Sequence, residues 1–443
     1  MNSSSIQRSI HLGVAVLFLF AVTWLAALPT AARADAVTDW DVIAFDAVDA
    51  SGMTGPVTAL PITMAHLAMS DALNAIDRRY KPYAFDAAAP HGASPEAAVA
   101  AAAHGVLIVE IPNQKTALDA ALASALAAIP GGKAKADGVA IGQAAAAAIL
   151  ARRANDGSDI VTPFTPGVKM GAWRPLATAI GAPIGLGFGA VTPFTMASST
   201  QFGPPKAASF DLTSAEYAAD YNEVKSLGGA NSTTRTAEQS EIAKFWYEPS
   251  PGVHIRLARD LVASQKLNLW ESARLFALLN LACTDSLIAS YDAKYRYNFW
   301  RPVTAIQNGA NDGNPLTTAD PAWNSFLETP NHPDYPSNHA VLSATCAEVM
   351  ARFFGSDRFN FTVTSAEPFP GMKRSFNSFW QSAKEAADSR VYAGIHFRTA
   401  SNEGLKLGRK IGEHVFTDFL QPVIATRAAA PKSHPPRATP ARQ

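Results

Sequence analysis

The chain has 443 residues, of which 48% are apolar and 17% charged. It therefore buries a large core, which excludes a disordered protein and leaves one large domain or two closely packed ones. Lysine plus arginine and aspartate plus glutamate both number 37, so no overall field draws the chain to nucleic acid or to an anionic membrane, and an anion site must come from a local cluster.

In chain order, the first segment has the form of an export signal: Arg8, an apolar run over 12–28, Pro29, and small residues over 31–36. Ala32-Arg33-Ala34 and Ala34-Asp35-Ala36 both offer a cleavage site. Residues 1–34 are read as a signal peptide, which predicts a periplasmic or secreted protein without stable membrane insertion after cleavage. An uncleaved anchor is the competing reading, since the run nearly spans a bilayer.

Helical periodicity follows at 62–76, 95–108, 114–129 and 138–153, where alanine propensity and apolar spacing agree. Residues 157–205 lack a lasting period and are rich in Gly, Pro, Thr and Phe; a connection of that length covers something functional or lies over a packed scaffold. Helical patterns resume at 214–224, 236–245, 254–263 and 267–299, then at 337–354, 378–389 and 396–419, the 337–354 run stopping at Gly355. Alternating strand patterns are scarce, so an all-α helical domain is expected over 35–425. The basic, Pro-rich segment 426–443 is expected to be disordered.

Cys283 and Cys346 are the two cysteines, too few for a disulfide scaffold or a thiolate zinc site. Both sit in apolar helical patterns and read as buried thiols, although an oxidising compartment would allow them to pair. Neither H-E-x-x-H nor Cys-x-x-Cys occurs, and the Gly185, Gly187, Gly189 cluster lacks the strand and helix of a dinucleotide loop. His66, His104 and His254 fall in helical patterns and read as core or surface residues. Asp285 precedes Lys294 by nine residues, pointing to the opposite side of a continuous helix.

Three segments carry chemistry. Lys294 and Arg301 are seven residues apart, so a helix continuing to Arg301, ended by Pro302, puts both cations on one face amid Tyr295, Tyr297, Phe299 and Trp300. Pro336-Ser337-Asn338-His339 opens a helix whose free amides and positive dipole end suit an oxyanion, with His339 placed to exchange a proton. Ser389-Arg390 closes one helix and His396 opens the next, with Gly394 allowing the turn between them. Taken singly, each has a structural explanation: a solvated Lys/Arg face, a helix cap, a core histidine.

Together and in order, K-x6-R-P, a near match to P-S-G-H and S-R-x5-H resemble the signature shared by vanadium-dependent haloperoxidases and the type 2 phosphatidic acid phosphatase superfamily. The signature spans 294–396, and weaker similarity extends from Asp39 to about Phe419. The resemblance implies the helical bundle of that superfamily and a bound vanadate, with phosphate able to occupy the same site. Lys294, Arg301 and Arg390 would clamp the oxyanion, Ser337 and the Asn338 amide would complete the cradle, His396 would be the axial ligand to vanadium, and His339 the acid/base residue. Lys294 would polarise bound peroxide for attack by halide, with vanadium as Lewis acid. Hydrogen peroxide, a halide and a small-molecule acceptor are the implied partners, and a homo-oligomer is left open.

Asn338 stands where the family usually has Gly, and asparagine is the non-glycine residue that best tolerates unusual backbone angles. His332 takes the position where, in the family, histidine accompanies bromide or iodide oxidation; a solvated loop histidine is the alternative. A phosphatase with His396 as nucleophile and His339 as leaving-group acid is the runner-up function. A non-catalytic phosphate-binding protein is the third reading.

Overall fold

A computed structural model describes residues 35–423, apart from Val161 and Ile180. The expected leader at 1–34 and the whole of the basic tail at 426–443 lie outside the described residues. The α-helices are α1 (Ala36–Ser51), α2 (Ala59–Ile76), α3 (Pro95–Glu110), α4 (Lys115–Ala127), α5 (Lys133–Arg153), α6 (Ala215–Leu227), α7 (Ala237–Phe245), α8 (Gly252–Ser264), α9 (Leu269–Tyr297), α10 (Pro302–Gln307), α11 (Asn338–Phe353), α12 (Phe379–Tyr392) and α13 (Arg398–Asp418). The expected all-α class holds, with one addition: an antiparallel hairpin of β1 (Arg358–Thr364) and β2 (Lys373–Ser378), which pairs Phe361 with Phe376.

Helix α9 is the axis of the bundle. Asn268 and Glu271 form a capping box at its start, satisfying two orphan backbone donors. It is long and apolar enough to cross a membrane by length and composition, yet its whole apolar window is buried inside the chain. Leu275, Leu278, Leu279 and Leu281 are fully enclosed, each contributing roughly 1.5–3 kcal/mol of burial. On one side α2, α3 and α5 pack as an Ala-rich layer; on the other, α11, α12 and α13 form the layer that bears the signature residues.

Both layers depend on close helix approach. A Cβ at Gly138 or Gly142 of α5 would fall 2.4 or 2.3 Å from the carbonyls of Ser94 and Ala98. In α13, Gly404, Gly408 and Gly412 recur every fourth residue against α11, and a Cβ at Gly408 would meet the Val341 carbonyl at 2.1 Å. This stripe lets α13 settle against the first two turns of α11, where Ser337 N–H also donates to the Ala400 carbonyl (3.0 Å).

The irregular connection beyond α5 lies over the end of α9. Ile184 N–H donates to the Asn331 carbonyl (2.9 Å), Trp173 N–H to the Asn298 carbonyl (2.8 Å), and Gly185 packs flat on Tyr291. Asp285 pins its far end by accepting the N–H groups of Phe194 and Thr195 (both 2.7 Å). That carboxylate therefore organises a loop and orients no arginine.

Candidate oxyanion site

The helix expected to carry both Lys294 and Arg301 stops short of Arg301. Asn298 adopts the left-handed conformation (φ 48°) and its N–H closes on the Lys294 carbonyl, ending α9 at Tyr297. Pro302 then begins α10 instead of terminating a helix, as its locked φ and missing N–H favour. The two cations still converge, because the 298–301 link turns back under the loop 330–336.

Lys294 is fully buried, and its Nζ donates to the carbonyls of Pro333 (2.9 Å), Asp334 (3.1 Å) and Pro336 (2.5 Å). Its ammonium thus knots the loop that delivers Ser337. Arg301 donates through Nε to the His332 carbonyl (2.7 Å) and through Nη1 to the Ile395 carbonyl (2.6 Å), and Nη1 lies 3.0 Å from His396 Nε2. Arg390, at the end of α12, donates to the Trp246 carbonyl (3.0 Å), but its Nε is buried without a partner.

Ser337 occupies the N-cap of α11, yet its hydroxyl caps nothing and is likewise buried and unpartnered. Asn338 begins the helix with ordinary backbone angles, so the unusual conformation anticipated for it is not needed; its side chain turns to α9, where Ser290 Oγ donates to Oδ1 (2.5 Å). His339 is half-buried, and its Nε2 contacts the Glu248 carbonyl at 3.0 Å. His332 is buried; its ring meets Tyr291 edge-on with centroids 5.7 Å apart, and Arg301 Nη2 is 3.1 Å from its Nδ1. All of the sequence-derived site residues therefore gather in one region, from five separate stretches of chain.

The electrostatics are lopsided. Burial pushes Arg301 down to about 10 and Arg390 down to about 9, with mutual repulsion adding to the shift in Arg390. Burial, then the neighbouring Arg301 and Arg390, hold Lys294 well below the usual lysine value against the pull of Asp334. His332, His339 and His396 are all driven toward the neutral form, by burial first and by the adjacent cations second. Asp334 is the carboxylate that faces Lys294 and Arg301, and burial raises it to about 7 against their pull. Sequence reasoning missed it, although it lies three residues before Ser337 in the segment singled out for His332.

Three buried cations facing one carboxylate, with orphaned donors on Ser337 and Arg390 at the open end of α11, fit a multiply charged oxyanion such as vanadate or phosphate. A neutral imidazole at His396 adds a lone pair beside them. Among the described residues no group of three His, Cys, Asp or Glu side chains could hold a metal cation. An oxyanion gripped by cations needs only the one histidine. His66, His104 and His254 stay apart: His66 pairs with Asp41 (2.8 Å), His104 with Asp119 (2.8 Å), and His254 stacks on Trp246. Cys283 and Cys346 are free buried thiols with Sγ atoms 3.4 Å apart.

A helical bundle that gathers a Lys, two Arg, a helix-start Ser and two His in one region has counterparts among known proteins. Residues 274–424 match the family model described as the second helical-bundle domain of VCPO. Over 258 residues the chain is 26% identical to vanadium chloroperoxidase of Curvularia inaequalis, a match spanning 44% of this chain and 42% of that protein's length. A bacterial vanadium-dependent iodoperoxidase superposes with a TM-score of 0.75 at 26% identity, covering 87% of this chain and 97% of that one. A bacterial vanadium-dependent chloroperoxidase in its holo form gives a TM-score of 0.66 at 19% identity, covering 88% and 93%, which bears on the fold alone. The resemblance to vanadium-dependent haloperoxidases read from the sequence is thus met in a family model over 274–424, in a curated relative and in the shared helical-bundle fold.

Proposed function

We propose that this chain is an exported vanadium-dependent haloperoxidase that uses hydrogen peroxide to oxidise bromide or iodide to a hypohalous species, which then halogenates a small-molecule acceptor. The observation that carries this reading is the cluster of Lys294, Arg301 and Arg390, all buried, around the unpartnered Ser337 hydroxyl and the Arg390 Nε. Leaving such groups without an acceptor costs about 1–3 kcal/mol each, more for a charged one, so the arrangement makes sense with an anion in place.

Vanadate, when bound, supplies the Lewis-acidic centre that activates peroxide. Arg301 and Arg390 would hold its charge, the Ser337 hydroxyl and the α11 amides would orient its oxygens, and His396 would present Nε2 as the ligand atom. His339, half-buried beside them, would take and return protons. Lys294, whose Nζ donates to three loop carbonyls, would lend its charge to the bound group through that loop or by exchanging one of the three. The buried His332 beside Arg301 supports the preference for the softer halides, since an imidazole at that place would offer the bound group a hydrogen bond and shift its protonation.

A phosphatase would use the same cluster, with His396 Nε2 as nucleophile. The decisive experiment measures bromination of a dye with peroxide, with and without added vanadate, beside hydrolysis of a phosphate monoester. Vanadate-dependent bromination is the expected result. Ester hydrolysis without bromination would hand the site to the phosphatase reading.

A further inference from the structure

We propose that Asp334 is a positioning residue for His396: its carboxylate accepts the Nδ1 proton and so fixes the imidazole in the tautomer that turns the Nε2 lone pair toward the oxyanion cavity. This rests on the functional reading above only for what His396 binds, not for how its ring is held.

The argument starts from the other ring nitrogen. His396 Nε2 lies 3.0 Å from Arg301 Nη1, and a guanidinium offers donors and no acceptor. Nε2 must therefore present its lone pair, and a neutral imidazole then carries its proton on Nδ1. The ring is 2% exposed, so it has no solvent partner, and a proton on Nε2 would point at the guanidinium N–H.

That Nδ1 proton has one destination. Asp334 Oδ1 is 2.9 Å from His396 Nδ1, and Asp334 is itself 1% exposed. Nδ1 has no other partner, and the carboxylate faces only the Phe397 backbone N–H besides the ring and the two cations. A small rotation of the ring aims the N–H at Oδ1 and satisfies both partners, whereas the opposite tautomer would set an N–H against Arg301 and leave Nδ1 a bare lone pair against the carboxylate.

Asp334 is in turn held from both sides of its backbone. Its N–H donates to the Phe299 carbonyl (3.0 Å), and its carbonyl accepts from Lys294 Nζ (3.1 Å). One residue thus couples the segments bearing Lys294, Arg301 and His396. An imidazole ligand oriented by a carboxylate on its far nitrogen is a recurrent arrangement, and loss of the carboxylate typically weakens ligation by about tenfold to a hundredfold.

The test uses the full chain labelled with 15N-histidine, compared with Asp334→Asn, Asp334→Ala and, to assign the signal, His396→Ala. Imidazole nitrogen shifts report the tautomer without vanadate, and equilibrium dialysis gives vanadate and inorganic phosphate affinities. We expect His396 to carry its proton on Nδ1 in the parent protein. Asp334→Asn, whose amide oxygen still accepts, should retain that tautomer. Asp334→Ala should lose it and bind vanadate about tenfold to a hundredfold more weakly, with an unchanged circular dichroism spectrum. A proton on Nε2 in the parent protein overturns the proposal even if the alanine variant fails to fold, and so does an unchanged tautomer in a folded alanine variant. If the parent binds neither anion, the functional reading fails while the tautomer result still decides the role of Asp334.

Discussion

The Ala-rich layer of α1–α5 and the layer of α11–α13 are built alike, from helices brought close by glycine, yet they treat buried charge in opposite ways. In the first, Asp41 is shared between His66 and Arg259, and Asp71 accepts the backbone N–H groups of Tyr83, Ala84 and Phe85. Those carboxylates are closed within the fold and hold elements in register. In the second, Arg390 and Ser337 keep donors with no protein acceptor. Buried polar groups thus serve structure where their partners are internal, and those of the second layer are left with donors that an outside partner would satisfy.

The largest effect expected from this contrast is on stability in the first layer. Asp71→Ala strands three backbone donors and should cost on the order of 4 kcal/mol in urea unfolding, with phosphate affinity unchanged in the folded fraction. A parallel loss of affinity would show that the two layers are not separable.

A somewhat smaller effect should come from His254 of α8, which stacks on Trp246, whose carbonyl in turn holds Arg390. Burial lowers His254 to about 4, so between that value and about 6.5 the unfolded chain takes up a proton that the folded chain refuses. Its contribution is therefore complete above about pH 6.5 and is lost as pH falls through about 4, a difference of roughly 3 kcal/mol. His254→Phe should keep the stack and flatten the dependence of the unfolding midpoint between those pH values. A slope as steep as the parent's would place the acid sensitivity in other groups.

The smallest change in stability is expected at the site itself. Arg390→Met removes a buried cation that faces Arg301, so unfolding should shift by no more than about 1 kcal/mol. Phosphate binding measured by calorimetry should nevertheless weaken by about tenfold or more, the effect of removing one charge-assisted hydrogen bond to the anion. A large destabilisation with affinity intact would reverse the contrast drawn above.

Much of this was legible in the sequence, for identifiable reasons. Apolar periodicity located α2 to α9 and α11 to α13 within a few residues, because their cores are Ala- and Leu-rich and the starts of α3, α6, α7, α9 and α12 carry Ser, Thr or Asn caps. Helix α1 and the β1–β2 hairpin went unread: the former begins directly at the leader boundary, and the latter alternates over only a few residues. The site cations, Ser337 and both histidines were recoverable from spacing and order. How they are held was not, since the knot of Lys294 on three carbonyls and the approach of Asp334 to His396 depend on loop geometry that no local pattern encodes. The long irregular segment was rightly marked as a cover, but its anchoring by Asp285 needed the tertiary fold.

Asn338 carries a consequence for how such signatures are written. Its side chain leaves the first turn of α11 toward Ser290 of α9, so the start of the helix offers its backbone N–H there. A search pattern that insists on glycine there passes over this chain, although its fold seats the asparagine side chain against α9 with ordinary helical geometry.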